Sequence, residues 1–109
     1  MSHNIITNIE DSVPASLSPK IHEILRNELG FTGIIMTDDL AMQAISNYVS
    51  KPSVSALKAG NDMIIISDYE SGIKDIKEAI DSGKLNEETL NTAVTRVLAW
   101  KYYKKIITN

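Results

Sequence analysis

Two adjacent acids, Asp38 and Asp39, stand directly after the apolar run Ile34-Ile35-Met36-Thr37, which itself follows a turn signal at Gly33. Such a run has the length of a buried strand, and the acids fall at its C-terminal end. In parallel α/β architectures that end is where loops and helix N-termini converge and where ligands bind. A carboxylate there can act as a nucleophile, a general base or a metal ligand. Two consecutive residues on an extended chain point to opposite sides, so both acids cannot address one substrate atom. Either acid can equally be the N-cap of a helix that follows the strand, the ordinary use of Asp at a βα junction, and Asp39, where the next helix would start, is the better placed for it. Other chemistry is sparse. The chain has no cysteine, which excludes disulfides, thiolate catalysis and cysteine-ligated metals. Only His3 and His22 offer imidazole, and the scattered acids have no metal-ligand spacing, so neither a metal nor a cofactor is expected. His3, at the end of a short strand-like start, is a candidate for lining a pocket. His22 lies one position off an apolar helix face and is expected in solvent.

The elements that would position these groups alternate. Ser18-Pro19 is an N-cap followed by proline at the first helical position, and Gly30 is a stop. Between them Ile21, Ile24, Leu25 and Leu29 share a face. After the acidic pair the helical pattern returns with Leu40, Met42, Ala44 and Ile45, breaks near 47–52, and resumes over 53–59. Gly60-Asn61 ends that helix before a second apolar run at 63–66. Asp62 opens that run at the structural end, and Asp68 at its far end reads as a helix cap. Ile73, Ile76 and Ile80 mark the next helix. Asn86 caps the last one, whose first turn holds Glu87 and Glu88 and whose apolar stripe runs through Leu90, Ala93, Val94, Val97 and Leu98. Repeated βα units with apolar rather than alternating strands predict an α/β protein with a parallel sheet covered on both faces.

With 109 residues the chain is a single domain at most, and too short for a complete α/β barrel. A net charge of −3 gives no electrostatic case for nucleic acid, and no apolar run is long enough to span a membrane. No segment assigns a compartment.

Four blocks taken together carry a resemblance. They are Pro14-Ala15-Ser16-Leu17-Ser18-Pro19, Leu25-Arg26-Asn27-Glu28-Leu29-Gly30-Phe31-Thr32-Gly33, Thr37-Asp38-Asp39-Leu40-Ala41-Met42, and Ala56-Leu57-Lys58-Ala59-Gly60-Asn61-Asp62-Met63. In this order they resemble glycoside hydrolase family 3, nearest its β-N-acetylhexosaminidase branch. The resemblance covers nearly the whole chain. It implies that residues 1–109 are one incomplete catalytic domain, the C-terminal portion of a TIM-type (β/α)8 barrel. Residues 2–3 would end the sixth strand, 34–37 would be the seventh and 63–66 the eighth. It further implies that Asp38 is the nucleophile of a retaining glycosidase, that Met42 touches the sugar, and that the substrate is an N-acetylglucosamine-containing glycan or muropeptide. Asp39 is then the cap. The family's general acid/base, an Asp–His pair beside a Lys-His-Pro-Gly-His type motif, has no counterpart in this sequence. The isolated chain is accordingly expected to be inactive, and its incomplete sheet is expected to drive a homo-oligomer or a domain swap. A phospho-receiver module is the weaker reading of the strand-end acids, because the pair falls mid-chain and Ser67, not lysine, follows the later strand.

Overall fold

The computed structural model describes residues 1–40, 45 and 49–105. Helix α1 spans Pro19–Glu23 and runs into a π-helical turn, Ile24–Glu28. Helices α2 (Pro52–Ala59), α3 (Tyr69–Asp81) and α4 (Glu87–Tyr103) follow, and a 3-10 turn, Ala15–Leu17, precedes them. The helical stretch expected around 40–45 falls largely outside the described residues, and Met42 lies outside them altogether.

The helix ends obey local chemistry. The Ser18 hydroxyl accepts from Ile21 N–H, the Asp68 carboxylate from Ser71 N–H and the Asn86 side chain from Glu88 N–H. Each cap satisfies an orphan donor of a first turn and contributes about 1 kcal/mol. At the other end of the first helical segment, Phe31 N–H reaches back six residues to the Leu25 carbonyl across left-handed Gly30, one residue wider than a Schellman bond. The π turn was not expected. Leu29 N–H bonds five residues back to Ile24, and the widened turn leaves Leu29 72% exposed rather than on the apolar face.

The two expected strands are corrected more substantially. Among the described residues neither forms a continuous strand; one parallel bridge joins Met36 to Met63. Around it, Met63 N–H donates to the Ile35 carbonyl and Thr37 N–H to the Met63 carbonyl, as in a parallel ladder. The ladder ends there because the Thr37 hydroxyl, not a carbonyl, accepts Ile65 N–H at 3.0 Å. On the other flank Met1 N–H donates to Met36 O, and Asp38 N–H to Met1 O at 2.8 Å, which sets Met1 opposite Thr37. Three extended segments thus lie side by side, parallel and in chain order.

Nor are these segments buried on both faces. Ile35 (4% exposed) and Thr37 face the helices, with Ile64 and Ile66 half-buried beside them, whereas Met36 (43%), Met63 and Ile65 (45%) are open. The period is two, because helices cover only one side. The covered side feeds two apolar clusters. One gathers Val54, Leu57, Ala79, Leu85 and Ala93; the other gathers Leu17, Leu40, Ile45 and Ala56. Ile64 packs against both. The last helix buries Ala93 and engages Leu90, but leaves Val94 and Leu98 about half exposed.

Candidate functional site

Asp38 is exposed at the C-terminal end of the central extended segment. By alternation it lies on the open face, in line with Met36 and beside Met63 and Ile65. Its backbone is held from both flanks. Asp38 N–H bonds to Met1, Thr37 N–H to Met63, and Leu40 N–H to the Ile65 carbonyl at 2.9 Å. With the Thr37 hydroxyl accepting Ile65 N–H, both backbone polar groups of Ile65 clamp the turn. Asp39 N–H donates to Asp38 Oδ1 at 2.8 Å and so orients the carboxylate. Asp39 itself is half-buried. The helix it was expected to cap lies outside the described residues.

His3 approaches this turn from the neighbouring segment and is 9% exposed. Its Nε2 lies 2.7 Å from the Asp39 carbonyl and its Nδ1 2.6 Å from Ser16 Oγ. Ser16 escaped the sequence reading, although it sits inside one of the quoted blocks. Its pairing partner is thirteen residues away, and only the fold brings them together. Ser16 N–H bonds to Ser2 O and Ala15 N–H to Asn4 O, so the loop runs alongside His3. The fully buried Asn61 amide then donates to Ser16 O (2.7 Å) and Ala56 O (2.8 Å), tying this loop to the end of α2.

His22 is not in solvent as expected but 2% exposed, with Nδ1 donating to the Ser18 carbonyl at 2.7 Å. The reason is Gly60, whose left-handed φ of 118° ends α2 flat against the imidazole; a Cβ there would stand 3.2 Å from His22 Cβ.

Asp62 occupies the opposite end of the segments, as expected, but in a role the sequence did not reveal. Its carboxylate, 1% exposed, accepts from Arg96 at 2.9 Å, from Arg26, and from Ile35 N–H at 3.1 Å. Arg26 also donates to the Phe31 and Gly33 carbonyls and lies over the Phe31 ring. A cleft of about 360 Å³ bounded by Asn61, Asp62, Glu88, Thr92 and Arg96 opens at this end, away from Asp38. Among the described residues a clear pKa displacement falls on Glu10, whose carboxyl the Ser12 hydroxyl and then the Ser12 N–H hold below its ordinary value. Among the described residues no three acids or histidines gather as a metal site.

Residues 1–100 match the family model described as the glycosyl hydrolase family 3 N terminal domain. The chain belongs to glycosyl hydrolase family 3. Among curated relatives, a β-hexosaminidase of Haemophilus influenzae is 31% identical over 113 aligned residues, covering 100% of this chain and 31% of that protein. One of Nitrosomonas eutropha is 45% identical over 69 residues, covering 61% of this chain and 20% of its own length. The chain therefore spans between a fifth and a third of these two relatives. Solved structures agree on the fold. The β-N-acetylglucosaminidase of Thermotoga maritima superposes with a TM-score of 0.80 at 27% identity, over 88% of this chain and 23% of that one. A family 3 β-N-acetylglucosaminidase from a Paenibacillus species gives 0.78 at 34% identity, over 89% and 20%. This family 3 chain accordingly takes a TIM-barrel-related fold, with its helices on one side of its parallel segments.

Proposed function

We propose that this chain supplies the nucleophile end of a retaining β-N-acetylhexosaminidase barrel, with Asp38 as the nucleophile. The observation that carries the reading is the placement of Asp38: exposed, at the C-terminal end of the central parallel segment, on the face that helices leave open. In a barrel that face is the interior, and that end is the active-site rim. The parallel order 1–3, 36–38, 63–65 is what the sixth, seventh and eighth strands of a barrel would present. The names of the relatives supply the substrate class, a terminal N-acetylhexosamine.

Chemically, Asp38 attacks the anomeric carbon, the bond from that carbon to the aglycone oxygen breaks, and a glycosyl ester forms on the carboxylate. The departing oxygen takes its proton from a general acid borne by an earlier strand. The same group, now a base, removes a proton from the water that hydrolyses the ester, so configuration is retained. The Asp39 N–H on Oδ1 presets the attacking carboxylate. The family resemblance adds Met42 as a residue that would touch the sugar. The isolated chain lacks the acid and should not turn over substrate. Its open strip of Met36, Met63 and Ile65 supports self-association, which light scattering would report as a mass above that of one chain.

The decisive experiment restores a complete barrel by fusing the chain behind the N-terminal barrel segment of the Haemophilus influenzae relative. With a fluorinated N-acetylhexosaminide the label should appear on the peptide containing Asp38, and Asp38→Asn should lower kcat by at least about 1,000-fold. Labelling elsewhere, or undiminished turnover, refutes the assignment.

A further inference from the structure

We infer that His3, locked by Ser16, is a positioning residue that holds the Asp38–Asp39 turn, rather than a group that touches sugar. The inference rests on Asp38 being the nucleophile. His3 has little surface to offer a ligand, and both its ring nitrogens are engaged by the protein. A carbonyl can only accept, so the 2.7 Å contact to Asp39 O places the proton on Nε2. In the neutral ring Nδ1 is then an acceptor, and the Ser16 hydroxyl at 2.6 Å donates to it. Ser16 is 0% exposed, and its backbone is fixed on both sides, by Ser2 O and by the Asn61 amide. The tautomer is thus set by a rigid anchor, as the second partner of a functional histidine generally sets it.

What the ring holds is the far side of Asp39. The near side of the same residue donates its N–H to Asp38 Oδ1 at 2.8 Å. Between those two bonds the φ and ψ of Asp39 have little freedom, and with them the direction of the Asp38 carboxylate. A nucleophile must meet the anomeric carbon within a few tenths of an ångström, and a misplacement of about 1 Å costs roughly 100-fold in rate. Loss of the His3 donor removes one of the bonds that hold the Asp39–Leu40 peptide, Leu40 N–H to Ile65 O being another, so the turn can shift about Asp39 and carry its N–H off line with Asp38 Oδ1.

The test uses the fused barrel, with Asp38→Asn as reference. His3→Phe fills the same space without a donor and should lower kcat about 10- to 100-fold, with KM within about twofold. His3→Gln, whose amide can donate to the same carbonyl, should recover most of that loss, and Ser16→Ala should fall between. Wild-type kcat in His3→Phe alongside a dead Asp38→Asn overturns the inference and leaves the nucleophile in place. Turnover by Asp38→Asn overturns the nucleophile instead. Equal impairment of the Phe and Gln variants, or an effect confined to KM, overturns the positioning role. Independently of activity, ¹⁵N NMR of the 109-residue chain near neutral pH should show His3 as the Nε2–H tautomer, with Nδ1 accepting. An Nδ1–H tautomer, or a freely exchanging ring, refutes the arrangement.

Discussion

Asp38 and Asp62 cap opposite ends of the same parallel segments and live in opposite circumstances. Asp62 is saturated: two guanidinium groups and a backbone N–H converge on a carboxylate that is 1% exposed. Asp38 is exposed, and its side chain accepts from the peptide of its own neighbour. Side-chain type is therefore no guide to role here; the supply of partners is. At the Asp62 end the chain spends its cations on cohesion, joining the π turn, the central segment and α4. At the Asp38 end the backbone is tied down while the residue stays exposed and its carboxylate accepts from the Asp39 N–H. That division matches barrels generally, whose C-terminal rim reacts and whose N-terminal rim stabilises.

The contrast can be attacked directly. Asp62→Ala should be the most damaging change, costing about 3–5 kcal/mol, since it strands two arginines and the Ile35 amide around an empty site. Urea unfolding would show the midpoint falling with the slope preserved. A cost below 1 kcal/mol would make the cluster decorative and dissolve the comparison. Thr37→Val keeps the shape but removes the acceptor for Ile65 N–H, and should cost about 1–2 kcal/mol by the same measurement. Its hydrogen-exchange signature should be faster exchange at Ile65 and Leu40, with the amides of α4 unchanged. Smallest of all, Asp38→Ala should alter stability by no more than about 0.5 kcal/mol, because the carboxylate supports nothing beyond its own turn. A large destabilisation there would mean that Asp38 is structural after all.

How much of this was legible depended on the range of the interaction. Ser18, Asp68 and Asn86 as caps, and Gly30 and Gly60 at helix ends with positive φ, follow from residues within one turn of each other. The strand-end placement of Asp38 was readable for the same reason. What could not be read joins residues far apart in sequence: Asp62 with Arg26 and Arg96, His3 with Asp39, and His22 beneath Gly60. The apolar strands misled in a different way. Isoleucine and methionine at alternate positions look doubly buried, yet helices cover only one side of them. The Thr37 hydroxyl as ladder acceptor was likewise invisible, since threonine in a strand ordinarily signals only β propensity.

Ile64 belongs to both apolar clusters, the one built on α3 and α4 and the one built on the loop beneath Asp38. A single side chain common to two packing units makes their melting a shared event: neither can open without uncovering the other's wall. Opening of the cluster on α4 uncovers the Ile64 wall that the loop beneath Asp38 also packs on, so hydrogen exchange in the two regions is expected to quicken or slow together.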